Sequence, residues 1–535
     1  MTVRTLLAAS LTSAATPLEQ QVRAARAAGA DLAELRVDCI GDIPAVTGLL
    51  EAPRILPLIV TVRCAAEGGA WTGSEAERVA LIERLGLLRP GYIDVEYATW
   101  RRSANIRQKI GQVCNLAGAG AGAHEALTPG QRPKNELILS HHDLAGTPTA
   151  IASLLDELAA SPAGIIKVAF TARDAADACR VLSELCRRRG SARQVIALAM
   201  GECGVATRIL ARKFGAYLTY AALRRGEEAA AGQPTIADLK QIYGWERIGP
   251  ATRVYGVVAW PVAHSQSPHV HNAALTADGI DGVYVPWAVR PDYEGFAAFM
   301  DYVAREPGLG IAGLSVTLPH KEHALRWLDE RGLAAAGVAP RARRCGAVNT
   351  LALEFDGRWV GDNTDGLGAL AALQTVQRYM ASSPAGQHVA VLGAGGAARA
   401  IVAALCAEGC QVTVYNRTPQ RAQALARELR CAWQPWAERV QYVGEVLINC
   451  TSLGMWPAVD ETPVPDAALR AGMVVLDAVY RPAETHLLRA ARSRGCEVVG
   501  GAVMFIGQAA GQYELWHHRP APVEVMRRAL PADAG

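Results

Sequence analysis

Residues 389–418 contain the pattern that most restricts how this chain can fold. An apolar run leads into Gly393-Ala394-Gly395-Gly396-Ala397-Ala398, a helix-like run follows, and a second apolar run ends at Tyr415. The first glycine permits a tight turn, and Gly395 lets the backbone approach a pyrophosphate placed at the N-terminus of the helix. The pattern therefore predicts the strand, turn, helix and strand of a dinucleotide-binding unit.

The residues after the second apolar run indicate which dinucleotide is bound. NAD-binding units usually have an acidic residue there, which binds the ribose hydroxyl. This chain has Asn416-Arg417-Thr418 instead, and Arg421 follows one helical turn later. Two guanidinium groups can bind a phosphate, and no carboxylate is present to repel it. The sequence therefore predicts NADP(H) as the cofactor.

Size and charge restrict the class of protein. A chain of 535 residues is too long for one core and predicts several domains. The net charge of +3 is small for this length, so we expect neither a nucleic-acid partner nor another polyanion. No apolar run is long enough to cross a bilayer, and we expect no membrane association. The oligomeric state is left open.

The cysteines and the N-terminus bear on the compartment. The 12 cysteines form no C-x-x-C pair and no ligand-like group with histidine, so we expect free thiols in a reducing compartment and no metal site. Residues 1–15 superficially resemble a signal peptide, but the apolar run is short and a helix-like segment follows at normal strand-to-helix spacing. We therefore expect an N-terminal strand and a cytoplasmic protein without a signal or transit peptide.

The first 245 residues alternate between apolar runs and helix-like segments such as Glu75–Leu88 and Ala172–Arg189. Eight such runs favour a closed (β/α)₈ TIM barrel, because the alternative, an open doubly wound sheet, usually has fewer strands. The Ala/Gly tract at 117–123 is predicted to be a loop. The eight predicted strands are Thr5–Ser10, Leu32–Asp38, Leu56–Arg63, Tyr92–Glu96, Glu136–His142, Gly164–Phe170, Gln194–Met200 and Ala216–Ala221.

A change of domain is predicted after the barrel. Tyr243–Ala251 contains two glycines and a proline and is predicted to be a linker. We expect a barrel at 1–242, an α/β substrate-binding domain at 252–370 completed by the C-terminal segment at about 500–535, and an NADP-binding Rossmann domain at 385–499. The further predicted strands are Val254–Ala259, Val283–Ala288, Gly313–Leu318 and Asn349–Leu353, and the final predicted helix is Met504–Trp516.

Polar residues of the first half gather near the carboxyl ends of the predicted strands, where TIM barrels carry their active sites. Lys167 lies within an apolar strand, and a lysine enclosed by apolar neighbours has a lowered pKa and can attack a ketone as a neutral amine. The alternative is a structural ion pair with a barrel carboxylate such as Glu34 or Glu96. His142 supplies a candidate acid–base group, which favours Schiff-base chemistry, and His141 is its rival.

Six motifs of the first half resemble type I 3-dehydroquinate dehydratase. They are residues 30–38, Thr61-Val62-Arg63 with Glu67-Gly68-Gly69, Ser140-His141-His142-Asp143, Ile166-Lys167-Val168-Ala169, Met200-Gly201 with Arg208, and Gly232-Gln233. The resemblance implies that Lys167 forms an imine with the substrate ketone. It also implies that His142 moves the proton, that Glu67 orients His142, and that Arg208 binds the substrate carboxylate. It places Glu34, Arg36, Arg63 and Gln233 at hydroxyls or at the wall of the site. The closing loop departs from the family's Ser-Ala-Pro-Gly-Gln, since this chain has Ala229-Ala230-Ala231-Gly232-Gln233.

The second half resembles shikimate dehydrogenase across residues 252–535. Lys321 follows a predicted strand and Asp365 lies in a predicted turn, and together they would form a proton-transferring pair beside a ketone. The matching motifs include Val316–Lys321, Gly346–Thr350, Gly361–Gly366, Ile448–Met455, Asp477–Tyr480 and Met504–Gln508. The resemblance assigns the substrate to Ser265, Ser267, Thr317, Asn349, Asp365, Tyr480 and Gln508, and it adds Thr451, Met455 and Gly501 to the cofactor site. Ser315 stands where many family members have asparagine.

The two halves together imply consecutive reactions. The first would dehydrate 3-dehydroquinate to 3-dehydroshikimate, and the second would reduce that ketone to shikimate with NADPH, in the domain order of the plant-type fused enzyme. The nearer alternative is a quinate-preferring or NAD-using dehydrogenase in the second half. The other is an inactive quinate-sensing regulator, which would be expected to lose Lys167, His142, Lys321 or Asp365, all of which are present.

Overall fold

The computed structural model describes residues 4–116, 134–333, 337–380 and 383–531. The Ala/Gly tract at 117–123 lies outside these ranges. The chain divides into two compact units. The first comprises residues 1–252, 287–290 and 298–310, and the second comprises residues 253–286, 291–297 and 311–535.

The first unit is built on a parallel sheet that confirms the predicted TIM barrel. Eight strands follow the order β8-β7-β6-β4-β3-β2-β1-β9, and the short β5 pairs with β6. The sheet is nearly closed, and a 2.8 Å bond from Tyr217 N to Val195 O connects the regions of the two edge strands. The strands are β1 Leu6–Leu11, β2 Leu32–Arg36, β3 Leu58–Thr61, β4 Gly91–Glu96, β5 Cys114–Asn115, β6 Asn135–Asp143, β7 Ile165–Thr171, β8 Gln194–Met200 and β9 Leu218–Ala222.

Helices alternate with these strands. Helix Glu75–Leu87 begins where Ser74 and Glu77 form a capping box, in which each side chain accepts a bond from the other residue's backbone N–H. The prediction for the second strand was two residues too long, because the chain turns into a short helix after Arg36. The α-helices are Leu18–Ala28, Val37–Ile40, Ile43–Glu51, Glu75–Leu87, Tyr97–Arg102, Ala104–Val113, Ile151–Ala159, Ala175–Arg187, Val205–Ile209 and Ala211–Phe214.

The segment predicted to be a linker is anchored to the barrel. Trp245 is buried, and the Arg212 guanidinium lies 5.6 Å from the centroid of its ring. The Lys213 ammonium donates to the carbonyls of Pro250 at 3.2 Å and Thr252 at 2.7 Å. The glycines and proline therefore shape an ordered connection here, since a buried indole and a buried ammonium hold both ends.

The second unit contains two sheets. The five-stranded sheet has the order β11-β10-β12-β13-β14, and its last two strands are antiparallel to their neighbours. The six-stranded parallel sheet has the Rossmann-like order β17-β16-β15-β18-β19-β20. The strands are β10 Arg253–Ala259, β11 Gly282–Ala288, β12 Ile311–Val316, β13 Thr350–Leu353, β14 Trp359–Asp362, β15 His388–Leu392, β16 Gln411–Asn416, β17 Ala432–Pro435, β18 Val446–Asn449, β19 Val474–Asp477 and β20 Glu497–Val499.

Two helices of this unit cross closely at glycine. A Cβ on Gly507 would lie 3.0 Å from the Gly368 Cα, so the small residues bring helix Gly501–His517 against helix Asp365–Leu373. The predicted final helix starts three residues earlier than expected, at Gly501. The α-helices of residues 253–531 are Ser267–Ala277, Tyr293–Arg305, Lys321–Glu330, Pro340–Cys345, Asp365–Leu373, Gln377–Met380, Gly396–Ala407, Pro419–Leu429, His486–Ser493, Gly501–His517 and Val523–Ala529.

Three negative observations apply to the described part of the chain. No helix there is long and apolar enough to cross a membrane. No group of three or more His, Cys, Asp or Glu side chains is placed to hold a metal ion. None of the 12 cysteines forms a disulfide bond.

Candidate active sites

A cavity of about 290 Å³ opens at the carboxyl ends of the barrel strands. The eight residues that the sequence assigned to the first site all line it. These are Glu34, Arg36, Arg63, Glu67, His142, Lys167, Arg208 and Gln233. The strands fix these positions, because adjacent parallel strands bring their carboxyl ends to one edge of the barrel.

Lys167 lies on β7 and is 4% exposed. Its surroundings differ from the apolar environment expected from sequence, because its Nζ donates to Asp94 Oδ2 at 2.9 Å. Glu34 and Glu96, the two carboxylates considered from the sequence, are therefore not the partner of Lys167. The Nζ lies 4.5 Å from the centroid of the Tyr220 ring, which lines the same cavity. Asp94 and Tyr220 were missed because Asp94 looks like one polar residue within a strand and Tyr220 looks like a core residue.

Asp94 is shared between two cations. Besides Lys167, Arg63 donates to it, over 2.7 Å from Nη2 to Oδ1. Burial alone would raise the pKa of Asp94, but the charges of Arg63 and Lys167 outweigh burial and hold this pKa well below its usual range. Arg63 also donates to Ser140 Oγ at 2.8 Å. Asp94 is therefore an ionised anchor for the lysine and the arginine.

His142 is paired with Glu67. The Nδ1 of the ring lies 3.0 Å from Glu67 Oε2, which also accepts the His142 backbone N–H at 2.9 Å. Burial, with the charges of Arg63 and Lys167, lowers the pKa of His142 well below its usual range, so the ring is neutral near pH 7. Burial raises the pKa of Glu67 to about 7, although Arg63 opposes that shift. Since the rival His141 does not line the cavity and lies beside Phe170, the geometry favours His142 as the base.

Arg208 is a buried cation facing the cavity. Its Nε has no hydrogen-bond partner among the described residues, and burial lowers its pKa to about 10, so it stays protonated at neutral pH. A buried guanidinium with an unused donor requires an acceptor, and a ligand carboxylate would supply one.

Glu34, on the wall of the same cavity, accepts hydrogen bonds from Ser10 Oγ and Thr61 Oγ1, both at 3.0 Å.

The closing loop is ordered despite its departure from the family pattern. The Gln233 Nε2 donates to Ser10 Oγ at 3.1 Å, and its Oε1 accepts from Ala229 N at 2.8 Å. Gly232 has φ +73°, and a Cβ there would lie 2.2 Å from the Gly201 carbonyl oxygen. The glycine is therefore required for this approach, and the Gly201 N–H donates to the Ala231 carbonyl at 2.9 Å in the same loop.

In the second unit, Lys321 begins a helix and forms an ion pair with Asp365 Oδ2. The other carboxylate oxygen, Oδ1, accepts from Asn349 Nδ2 at 2.9 Å, and the Asp365 N–H donates to Asn363 Oδ1 at 3.0 Å. Asn349 also bonds Thr364 and Thr350. One bond of the Asn349 amide thus orients Asp365 of the Lys321–Asp365 pair, a contact that its sequence assignment to the substrate did not include.

The remaining predicted substrate residues lie on separate turns. Ser265 Oγ accepts from Ser267 N at 3.3 Å, and Thr317 follows β12. Ser315 is engaged within the protein, because it accepts from Tyr284 Oη at 2.7 Å and donates to Gln512 Oε1 at 2.8 Å. The Tyr284–Gln512 link was missed, since it joins residues more than 200 positions apart.

The glycine-rich turn confirms the predicted dinucleotide-binding geometry. Gly393 has φ +110°, and a Cβ there would lie 3.1 Å from the Cys450 carbonyl oxygen, whereas a Cβ on Gly395 would meet nothing within 4 Å. Helix Gly396–Ala407 follows directly, so its N-terminal N–H groups are available to a pyrophosphate. The exposed Arg417 follows the neighbouring strand β16, and the exposed Arg421 lies in the first turn of helix Pro419–Leu429. Asn416 Nδ2 donates to Thr418 O at 2.9 Å.

Three further turns carry residues that the sequence assigned to the cofactor or the substrate. Thr451 and Met455 follow β18, and the exposed Met455 side chain is free for an apolar contact. Gly501 is required sterically, since a Cβ there would lie 2.5 Å from the Val479 carbonyl oxygen. Tyr480 stacks on Phe505, with ring centroids 5.2 Å apart, and Gln508 lies one turn further along the same helix.

Comparison with sequence families gives matches in the same order along the chain. Residues 8–250 match type I 3-dehydroquinase, and residues 257–351 match the shikimate dehydrogenase substrate binding domain. Residues 375–455 match shikimate / quinate 5-dehydrogenase, and residues 501–530 match the shikimate 5'-dehydrogenase C-terminal domain. Both predicted resemblances are confirmed.

Individual relatives agree with these families. The bifunctional 3-dehydroquinate dehydratase/shikimate dehydrogenase, chloroplastic, of Arabidopsis thaliana is 36% identical over 516 residues, which cover 93% of this chain and 79% of that protein. The shikimate dehydrogenase (NADP(+)) of Moorella thermoacetica is 41% identical and covers 54% of this chain and 96% of its own length. The crystal structure of the Thermus thermophilus shikimate 5-dehydrogenase with NADP(H) and shikimate has 36% identity, covers 52% of this chain and 98% of its own, and has a TM-score of 0.46. The chain therefore belongs to the family of bifunctional 3-dehydroquinate dehydratase/shikimate dehydrogenases.

Proposed function

We propose that the first unit converts 3-dehydroquinate to 3-dehydroshikimate through an imine at Lys167, and that the second unit reduces this product to shikimate with NADPH. The observation that carries the proposal is one barrel cavity lined by a buried lysine, a neutral histidine paired with a carboxylate, and an arginine with an unused donor. A coupled assay from 3-dehydroquinate and NADPH tests it, because shikimate should form after a lag. If no shikimate forms, the proposal of two consecutive reactions is contradicted.

In the first unit, the substrate ketone and carboxylate bind to different groups. Arg208 pairs with the carboxylate. Lys167 passes one ammonium proton to His142 and attacks the ketone carbon as a neutral amine, and the proton returns to the oxygen, which leaves as water while the protonated C=N bond forms. The protonated imine withdraws electrons from the neighbouring carbon, and His142 removes a proton there. His142 then returns the proton to the departing hydroxyl as water leaves. A second water adds to the C=N carbon, and the bond to Lys167 breaks, which releases the ketone 3-dehydroshikimate and restores the lysine. Glu67 keeps the ring oriented, while Glu34, Arg36, Arg63 and Gln233 bind hydroxyls or shape the wall.

The His142–Glu67 pair predicts an acidic limb in the pH profile of the dehydratase. Ionised Glu67 accepts the Nδ1 proton and leaves Nε2 free as a base, whereas a protonated Glu67 would donate to Nδ1 and place the ring proton on Nε2. Since the pKa of Glu67 is about 7, kcat/KM should fall as the pH decreases through this value. In Glu67→Gln this limb should disappear while the maximum falls roughly 10- to 100-fold. An unchanged limb in the variant would assign the titration to another group.

Asp94 is proposed to anchor Lys167 and Arg63. Asp94→Asn leaves the buried Lys167 ammonium without its counter-charge. It also removes one carboxylate partner of Arg63, whose Nη1 lies 3.3 Å from Glu96 as well. The unfolding free energy of the first unit should therefore fall by about 3 kcal/mol. Urea unfolding followed by loss of dehydratase activity measures this change. Asp156→Asn is the matched control, because Asp156 pairs with Arg188 on the surface and is 72% exposed. Equal small effects of both substitutions would contradict the anchoring role.

In the second unit, Lys321 and Asp365 are proposed to transfer the proton to the substrate carbonyl oxygen. Ser265, Ser267, Thr317, Asn349, Tyr480 and Gln508 are proposed to hold or surround the substrate. NADPH, when bound, supplies the hydride. We propose that residues 393–397 would hold its pyrophosphate and that Thr451, Met455 and Gly501 would line its nicotinamide site, because these turns lie at the carboxyl edge of the six-stranded sheet.

The cofactor preference is proposed to depend on Arg417 and Arg421, with Asn416 and Thr418 completing the turn. Arg421→Ala should raise the KM for NADPH about tenfold and leave the KM for NADH unchanged, since only NADPH has the phosphate that the guanidinium binds. Arg417→Ala should act in the same direction. Arg427→Ala is the control, because Arg427 is exposed on the same helix but lies near its other end. If the KM values for NADPH and NADH rose equally, the two arginines would not act by binding the phosphate.

We propose domain boundaries of 1–242, 252–370 with about 500–535, and 385–499, which the order of the family matches supports.

The partners are proposed to be small molecules, which the small net charge of +3 supports. A reducing, cytoplasmic location is also proposed, which the free thiols support. A higher kcat/KM with quinate, or with NADH, would instead favour the alternative dehydrogenase.

A further inference from the structure

A buried carboxylate lies at the carboxyl edge of the six-stranded sheet and is not one of the Lys321–Asp365 pair. Asp477 ends β19 beside Asn449, which ends β18, and the two residues are register partners. Its relative exposure is 0%. It accepts hydrogen bonds from Asn449 Nδ2 at 2.9 Å, from Thr485 Oγ1 at 2.7 Å and from Val479 N at 3.1 Å. These three donors come from three different turns.

The bond to Asn449 acts on the turn assigned to the cofactor. Because Asp477 engages the Asn449 Nδ2, the amide presents its Oδ1 in the opposite direction, where Oδ1 accepts from Thr451 N at 3.0 Å and Thr451 Oγ1 at 2.7 Å. Thr451 Oγ1 in turn accepts from Leu453 N at 3.2 Å. The orientation of the turn that ends at Met455 therefore depends on the amide that Asp477 orients.

The other two bonds act on the turn assigned to the substrate. The Val479 N–H fixes the backbone immediately before Tyr480, whose ring stacks on Phe505. Thr485 Oγ1 donates to Asp477 and accepts from Leu488 N at 3.3 Å, so the same hydroxyl caps helix His486–Ser493. One carboxylate thus holds both ends of the segment that contains Tyr480.

Among the described residues, Asp477 lacks the cation that a buried carboxylate usually has. The Cys450 thiol lies beside it, and the pKa of this thiol is raised by burial and by the charges of Asp477 and Asp365. Burial raises the pKa of Asp477 to about 6, although its three hydrogen bonds oppose the shift. A carboxylate that is buried without a cation is costly. Its presence at position 477 therefore indicates that this site requires an acceptor for three donors at fixed positions.

We propose that Asp477 is a positioning residue that holds the Thr451–Met455 turn and the Tyr480 turn in one fixed arrangement, so that the NADPH and shikimate sites are formed together. The proposal rests on the assignment of those two turns given above. It predicts that a change at Asp477, which contacts neither ligand, weakens the binding of both.

Asp477→Asn is the direct test. The variant keeps the volume but loses one acceptor, and we expect the KM for NADPH and the KM for 3-dehydroshikimate each to rise about fivefold, with a smaller change in kcat. The dissociation constant of NADPH, measured by fluorescence, should rise by the same factor. In the wild type both KM values should rise as the pH decreases through about 6, and in the variant this rise should be absent. The dehydratase kcat/KM is the internal control.

Thr485→Val provides a second variant in case Asp477→Asn does not fold. It removes one donor to Asp477, and both KM values should rise in the same direction by a smaller factor. Thr462→Val is its matched control, because Thr462 bonds only the Val464 carbonyl in the same part of the chain. If the wild type does not oxidise NADPH with 3-dehydroshikimate, the proposed function fails. If it does, and the variants lose only thermal stability or active fraction with unchanged KM values, the positioning role is overturned.

Discussion

Replacing Lys167 by methionine should abolish dehydratase turnover and leave the dehydrogenase intact. Methionine keeps the length of the side chain but has no amine to form the C=N bond, so kcat should fall by roughly 10⁴-fold or more. Dehydration of 3-dehydroquinate, followed by the absorbance of the conjugated product, measures the effect. Lys109→Met is the matched control, since Lys109 pairs with Glu83 near the surface, outside the cavity.

Trapping distinguishes the imine from a purely electrostatic role of this lysine. Borohydride should reduce the imine to a stable amine and add the mass of the bound substrate at Lys167 in the wild type only. Absence of a substrate-dependent adduct in the active wild type would contradict the imine mechanism. The same result would leave the Lys167–Asp94 pair as a structural ion pair, which was the alternative interpretation of the sequence.

The position of Lys167 could be predicted from sequence, but its surroundings could not. Strand periodicity places one residue at one point on a barrel strand, and Lys167, His142 and Arg63 therefore converge at the same edge. The partner of the lysine depends instead on the relative stagger of three strands, which no local pattern contains. Asp94 and Glu96 alternate onto the same face of β4, and only the packed barrel pairs Lys167 with Asp94, whereas Arg63 lies near both carboxylates.

In the second unit too, local features could be predicted from the sequence and long-range contacts could not. The glycine-rich turn was predictable because Gly393 must adopt a positive φ and must pass close to the backbone of Cys450. The strand Trp359–Asp362 was missed, since it is short and pairs antiparallel to β13. The engagement of Asn349 with Asp365 was also missed, because a motif identifies which residues occur together but not which of them bond one another.

Replacing Lys321 by methionine should give the converse of the Lys167 result. The dehydrogenase kcat should fall roughly 10²- to 10⁴-fold, because the oxygen that gains negative charge during reduction loses its proton donor. The dehydratase should be unaffected, so Lys167→Met and Lys321→Met serve as controls for each other. NADPH oxidation with supplied 3-dehydroshikimate measures the loss without depending on the first unit.

The double variant Lys321→Met with Asp365→Asn tests whether the two residues act as one unit. Asp365 is 1% exposed and is oriented by Asn349 and Asn363, so its position does not depend on the lysine alone. If Asp365 acts by holding and relaying the proton of Lys321, the double variant should lose little more activity than Lys321→Met, since the removal of one member already disables the pair. Additive losses would show that Asp365 contacts the substrate independently, and its assignment would then change from proton transfer to substrate binding.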